Sequence, residues 1–250
     1  MPVNYARFLI GRRRTVAGNR QLGWVLAFVA GAINAGGFLA VQQYTSHVTG
    51  IVSALADNVA LGQTALVVDA IVAIVAFLAG AMCCALMVNF ARNRRMSSEY
   101  ALPLLFEAVL ILCFGLLGSR LYEYEALLLP FTVILLCFMM GLQNAIVTKL
   151  SNAVIRTTHM TGIVTDLGIE MGKLLYWNRQ PDPSLHIRAD RERLLVLSGL
   201  LASFLSGALS GAFGFKHLGY LFTLPMALLL AIMALVPAFD DLRSKHDSKL

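Results

Sequence analysis

The sequence contains little charge. Only 14% of its 250 residues are Asp, Glu, Lys or Arg, whereas 58% are hydrophobic, and the mean hydropathy is +0.72. A soluble domain of this length needs a more polar surface. The few charges gather in short segments between long apolar runs, so the apolar side chains are expected to face lipid. These features predict an all-α integral membrane protein.

Signatures of catalysis and metal binding are also missing from the sequence. No His-Glu-x-x-His, Gly-x-Ser-x-Gly or P-loop pattern occurs. The cysteines lie inside apolar runs without metal-ligand spacing, which indicates packing residues. We therefore expect no catalytic residue, no metal and no cofactor. The four cysteines are Cys83, Cys84, Cys113 and Cys137.

The distribution of basic residues predicts the orientation of the chain. Six apolar stretches have the length of about 20 residues that crosses a bilayer. If all six cross, every Lys and Arg of the 20 except Arg120 and Lys216 lies on one side. The positive-inside rule then places both termini in the cytoplasm, and no nucleic-acid partner is needed to explain the net charge of +6. The predicted spans are 21–42, 65–89, 101–118, 126–148, 194–214 and 218–238.

A polar pattern occurs twice along the chain. Asn34 lies in Gly-Ala-Ile-Asn-Ala and Asn144 in Gly-Leu-Gln-Asn-Ala, and residues 45–53 match residues 157–165 as Thr-[Ser/Thr]-His-x-Thr-Gly-Ile-Val-[Ser/Thr]. Since each half has three spans, the second copy enters the membrane from the opposite side. This predicts a 3+3 inverted repeat, an architecture typical of transporters.

A short helical stretch follows each motif. Residues 50–62 would extend about 20 Å at 1.5 Å per residue, too short for a bilayer core of about 30 Å. Each half is therefore expected to contain a broken or re-entrant half-helix. The predicted segments are a basic cytoplasmic segment 1–20, a first three-helix repeat 21–118, an extracytoplasmic loop 119–125, a second three-helix repeat 126–238 and a cytoplasmic tail 239–250.

The order of these motifs resembles the YoaK family of uncharacterised bacterial inner-membrane proteins, which is defined by a domain of unknown function. The resemblance rests on Gly-x-x-Asn-Ala and Gly-Leu-Gln-Asn-Ala, each followed by [Ser/Thr]-x-x-Thr-Gly, and it covers about residues 20–238. It implies a multi-span membrane protein. It brings neither a substrate nor catalytic residues.

The two motifs are the main candidates for a substrate site. Thr49 and Thr161 are predicted N-caps, and the free N–H groups and dipole of each following helix favour an anion. Asn34 and Asn144 should face the protein interior, because an amide facing lipid is costly. The alternative is that these residues only cap and pack a helix break. The predicted binding residues are Thr45, His47, Thr49, Gly50, Thr157, His159, Thr161, Gly162, Asn34 and Asn144.

Acidic residues inside apolar segments are candidates for proton or ion coupling. Glu107 is the clearest, since the residues on both sides of it are apolar. A structural ion pair or a position near the membrane surface is the alternative. The candidates are Asp57, Glu107, Asp166 and Glu170.

Three functions are consistent with these patterns. A small secondary transporter or channel for a small anion or a proton-coupled solute is favoured, with the bilayer and a small molecule or ion as partners. An assembly or regulatory factor without turnover would use the small-residue stripe around Gly199 and Gly207 as a partner or homo-oligomer surface. A membrane-embedded enzyme on a lipid-linked substrate would need an acid–base set. That set would be His47, His159, Asp57 and Asp166.

Overall fold

The computed structural model describes residues 16–94, 96, 98–121, 123–150, 160–178, 182 and 186–247. This part of the chain contains helices and turns and no strand. A short 3-10 helix, Gly219–Phe222, joins the last two α-helices. The α-helices are α1 Val16–Val41, α2 Val48–Ala60, α3 Thr64–Asn93, α4 Ala101–Leu121, α5 Glu125–Leu150, α6 Met160–Leu175, α7 Arg191–Leu218 and α8 Thr223–Asp247.

Five stretches of the described chain are long and apolar enough to cross a membrane. Four of them coincide with α1, α3, α4 and α5. The fifth, Arg191–Leu235, is 45 residues long and contains α7, the 3-10 helix and the first half of α8. The structure thus confirms the all-helical membrane protein predicted from the sequence.

Helix α3 has one side that packs against the protein and one exposed apolar side that is suited to lipid. It buries a stripe of mostly small residues that includes Ala73, Ala76 and Gly80. Its other side exposes large apolar side chains, which a protein surrounded by water rarely does over such an area. The exposed residues are Leu66, Val68, Ile71, Val72, Val75, Leu78, Met82, Leu86 and Phe90.

The two short helices follow the two polar motifs. Helix α2 has 13 residues and α6 has 16, which correspond to about 20 and 24 Å of rise. Both are shorter than a bilayer core of about 30 Å. Helix α2 packs on α3 and buries no residue of its own, whereas α6 packs on α7 and buries Ile163 and Glu170.

Two helix pairs form the most extensive contacts and cross in the same manner. Helix α1 packs on α7, and α3 packs on α5. In each helix a glycine faces a backbone carbonyl of the partner, so a Cβ atom at that position would collide with main chain. Only glycine permits so close an approach of two backbones. The glycine–carbonyl pairs are Gly31–Phe204, Gly207–Phe28, Gly80–Phe138 and Gly141–Phe77.

The chain changes direction between α7 and α8 at an aromatic cluster. Gly219 ends α7 with φ 59° and ψ −148°, a conformation that favours glycine. Tyr220 then packs edge-on against Phe114 of α4, with ring centroids 5.8 Å apart, and against Phe215 of α7. This packing directs α8 onto α4, which is its main neighbour.

Candidate functional site

A cavity of ≈ 1190 Å³ lies between the two crossed helix pairs. Residues from α1, α3, α5 and α7 form its sides. The beginnings of α2 and α6 and the segment before α2 also reach it. Both polar motifs therefore contribute to a single cavity.

Two sides of the cavity are apolar. Phe77, Ala81 and Ala85 line it from α3, one helical turn apart. Phe204, Ala208 and Ala212 line it from α7 with the same spacing, and Leu205 and Leu209 extend this side. Because alanine is small, each stripe leaves space beyond the phenylalanine that begins it.

The other sides carry the polar groups. Asn34 of α1 and Asn144 of α5 both line the cavity. The Ser46 hydroxyl donates a 2.8 Å hydrogen bond to Oδ1 of Asn34, which ties the segment before α2 to α1. Neighbouring Gln143 is fully buried, and its Nε2 donates to the carbonyl of Leu26 at 3.1 Å. It therefore joins α5 to α1 rather than lining the cavity.

The two half-helices begin at the cavity, two residues earlier than expected from a threonine N-cap. Helix α2 starts at Val48, and His47 occupies the N-cap position without a side-chain capping bond. The described part of α6 starts at Met160. Thr49 is thus second in α2 and Thr161 is second in the described part of α6, and both line the cavity together with His47. The prediction that they are N-caps was wrong, because His47 takes the cap position of α2 and Thr161 follows the helical residue Met160 in α6.

Several predicted binding residues lie elsewhere. Thr45 is buried and is not part of the cavity lining. Gly50 lies under the imidazole of His47, and a Cβ there would collide with that ring, so its contribution is to make space for His47. Gly162 also lies outside the lining. Thr157 and His159 fall outside the described residues.

Lys149 is a lining residue that the sequence did not single out as a ligand. It lies in the last turn of α5, where the helix dipole favours a cation, and its basic charge served only to predict orientation. The structure places it at the cavity. Lys149 lies five residues after Asn144, just as Leu39 lies five residues after Asn34. Leu39 also lines the cavity, so this equivalent position was the signal in the sequence for Lys149.

The predicted coupling residues do not line the cavity. Asp57 is exposed on α2. Glu107 is only 1% exposed on α4, and its Oε2 has no hydrogen-bond partner within the described part of the chain. An unpartnered carboxyl oxygen in such a position is costly, so Glu107 remains a candidate for a functional role.

The carboxylates of α6 hold that helix against the start of α7. Glu170 Oε1 accepts from Lys173 Nζ at 2.7 Å, and its Oε2 accepts from the Asp190 backbone N–H at 2.9 Å. Asp166 pairs with Arg193 at 3.0 Å. Asp190 itself caps α7 by accepting from the N–H groups of residues 192 and 193. These pairs favour the structural alternative for Asp166 and Glu170.

A known protein family matches most of the chain. Residues 22–236 match the model of the family described as "Protein of unknown function (DUF1275)". The chain belongs to this family. The curated "UPF0700 transmembrane protein YoaK" of Bacillus subtilis (strain 168) is 25% identical over 175 residues, covering 69% of this chain and 76% of that protein. No solved structure matches the chain.

The family match confirms the resemblance that the paired motifs suggested. The matched relative is a transmembrane protein by its printed name, and the apolar helices of this chain have spanning length. This DUF1275 protein is therefore a multi-pass membrane protein.

The α6–α7 contact predicts an acid-sensitive stability. The hydrogen bond from Lys173, the Asp190 N–H and nearby positive charges lower the pKa of Glu170 below its usual value. A lowered folded-state pKa stabilises the fold above the ordinary glutamate pKa, and this contribution is lost as the pH falls. Glu170→Gln should therefore lower the melting temperature at pH 7, and the difference from wild type should shrink at acid pH.

A matched control is available at the surface. Glu123 also forms an i,i+3 ion pair, with Arg120 at 3.0 Å, but its side chain is 53% exposed, against 1% for Glu170. Exposed pairs contribute little, so Glu123→Gln should melt like wild type at both pH values. Equal melting of the two variants at pH 7 would contradict the structural role of Glu170.

Proposed function

We propose that this protein is a small secondary transporter or channel of the bacterial inner membrane, with six spans, cytoplasmic termini and its ligand in the central cavity. The favoured substrate class is a small anion or a proton-coupled solute. The observation that carries the proposal is that both copies of the polar motif line one cavity.

Six spans are supported by the length of the last apolar stretch. Its 45 residues would extend about 67 Å as one straight helix, about twice the bilayer core. The positive φ of Gly219 and the aromatic packing of Tyr220 provide a turn between α7 and α8. Two spans joined by this turn also keep all basic residues except Arg120 and Lys216 on the cytoplasmic side.

The inverted repeat is supported by the two similar crossings. The first spanning helix of one half packs on the second spanning helix of the other half, in both directions. The contacting glycines lie three residues after a phenylalanine in all four helices. A two-fold relation between the halves accounts for both facts and is common in transporters, whose sites lie between the repeats.

The competing functions have less support from the geometry. The stripe proposed as a partner surface in an assembly factor is used inside the protein, since Gly207 faces α1. The acid–base set of a membrane enzyme is dispersed: His47 lines the cavity, Asp57 is exposed and Asp166 pairs with Arg193.

Flux through proteoliposomes tests the proposal. The purified protein would be reconstituted and assayed with chloride, phosphate and short carboxylates under an imposed pH gradient or membrane potential. Thr49→Ala/Thr161→Ala should reduce flux of the transported anion at least tenfold, because it removes a hydroxyl at both half-helix starts. Thr64→Ala/Thr165→Ala is the matched control, since neither threonine lines the cavity.

The outcomes separate the site from the function. Wild-type flux in the Thr49/Thr161 double variant, with the fold intact, would remove the cavity as the site. An absence of flux for every solute tested, with protein that binds none of them, would favour an assembly or regulatory role.

A further inference from the structure

The cavity combines a single cationic side chain with extended apolar sides. Among the described residues that line it, Lys149 is the only one with a formal charge of either sign. Its ammonium group forms no hydrogen bond or ion pair with any residue of the described chain. By contrast, Lys173 is paired with Glu170. Lys149 is therefore available to a ligand.

The surroundings of Lys149 reinforce its charge. The first turns of α2 and α6 reach the same cavity through Thr49 and Thr161. The first N–H groups of a helix have no partner within it and attract negative charge. No described acidic residue lines the cavity to oppose this field. The polar part of the site therefore selects an anionic group over a cation.

The size and the apolar sides indicate what else the ligand contains. A volume of ≈ 1190 Å³ is larger than an inorganic anion needs and slightly exceeds the range of about 300–1,000 Å³ that is usual for small-molecule sites. The aromatic rings of Phe77 and Phe204 and their alanine stripes offer apolar surface on two sides. A chloride or phosphate ion would leave this surface in contact with water only.

We propose that the cavity binds an organic anion whose carboxylate or phosphate contacts Lys149 and whose apolar body packs between Phe77 and Phe204. This inference rests on the proposed function, because it names the substrate class of the same site. The shared chemistry of the ligand is one anionic group on a compact apolar body. A dissolved metabolite and a lipid headgroup both offer this chemistry, and the experiment distinguishes these two sources.

Phenylacetate is a suitable probe, with phenylacetamide and 2-phenylethylammonium as neutral and cationic analogues of similar shape. Acetate and inorganic phosphate supply the anionic group without the apolar body. Binding would be measured by the thermal shift of purified protein in neutral detergent and by calorimetry. A ligand of the native state raises the melting temperature by mass action. Phenylacetate should shift it, and the other four should shift it much less.

Variants of the lysine locate the anionic group. Lys149→Met should weaken phenylacetate binding at least tenfold, because a charge-assisted hydrogen bond is lost, and Lys149→Arg should retain binding. Lys216→Met is the matched control. Lys216 also lies in the last turn of a spanning-length helix but is exposed and away from the cavity. Its replacement should leave binding unchanged.

Each other result has a defined meaning. Equal shifts with acetate or phosphate, stronger binding of the cation, no binding of any aromatic probe, or unchanged binding in Lys149→Met would each overturn the inference. If phosphatidylglycerol in the micelles stabilises the protein and displaces phenylacetate, the occupant is a lipid headgroup rather than a dissolved solute. Binding without flux in proteoliposomes would contradict the transporter alone, and flux of a neutral or cationic solute would contradict the substrate class alone.

Discussion

Alanine at Gly80 or Gly207 is expected to lower the free energy of unfolding by about 2 kcal/mol or more. Alanine is the better helix former, by about 1 kcal/mol, so a loss of stability must come from packing. The new methyl group would meet the backbone of Phe138 or Phe28. Backbone cannot rotate away as a flexible side chain can, so the two helices must separate. The double variant should be lost from the membrane fraction or unfold at low denaturant.

Unfolding in detergent followed by tryptophan fluorescence measures this effect. Trp24 of α1 donates from Nε1 to the carbonyl of Val196 in α7 at 3.3 Å, so its emission reports the α1–α7 contact. Gly168→Ala and Gly172→Ala on α6 are the controls, because no atom of another helix lies within 4 Å of the added Cβ. These should match or exceed the stability of wild type. If Gly80→Ala and Gly207→Ala are also as stable as wild type, the helix pairs α3–α5 and α1–α7 do not approach as closely as described.

Replacement of Glu107 by leucine is expected to raise the free energy of unfolding by about 1–3 kcal/mol, the cost of a buried group left without a hydrogen bond. The side chain is 1% exposed and its Oε2 is unpartnered within the described residues. A group that opposes folding in this way persists where function needs it. We therefore expect the stabilised Glu107→Leu protein to lose proton-coupled flux.

Two measurements on the same variants separate stability from function. Thermal or denaturant unfolding measures stability, and flux under a pH gradient in proteoliposomes measures function. Glu123→Leu, in the exposed turn after α4, removes the same charge at the surface and should change neither by much. A destabilised Glu107→Leu protein with normal flux would show that the carboxyl is structural.

Local patterns in the sequence predicted much of the fold. Apolar runs predicted the positions of the spanning helices, since a segment that crosses a membrane must form its own backbone hydrogen bonds. The duplicated motif predicted that Asn34, Asn144, Thr49 and Thr161 act together, and the structure places all four at one cavity. The repeated residue pattern was visible without any knowledge of how the helices pack.

Contacts between distant helices could not be read in the same way. The partner of Gly80 is the backbone carbonyl of Phe138. Every residue has a backbone carbonyl, so the residue type does not show which carbonyl the glycine contacts. The Phe-x-x-Gly pattern was visible in four helices, but its copies are 110 residues apart for Phe28 and Phe138 and 127 apart for Phe77 and Phe204. The longer connection before α7 changes this spacing. A search for repeats at a fixed offset of 110 residues therefore finds Phe28 and Phe138 but misses Phe77 and Phe204.

Charged residues were the least predictable part of the site. Lys149 has the same sequence character as any basic residue at the end of an apolar helix, and only the packing of α5 brings it to the cavity. Glu170 was considered a coupling residue, yet its partners come from Lys173 and from Asp190 at the start of α7. Sequence shows that a charge is present but not which neighbour compensates it.

The accessibility of the cavity from both sides of the membrane tests the central claim most directly, and it needs no known substrate. Cysteine would be placed at Ala81 or Ala208 in a protein without its four native cysteines and reacted with a membrane-impermeant maleimide from either side. Glu123→Cys and Asn93→Cys are controls on opposite sides of the predicted topology. If the protein is a transporter or channel, each cavity cysteine should react from both sides of the membrane, whereas each control cysteine should react from one side only. Cavity cysteines that react from one side only, or not at all, would contradict the account.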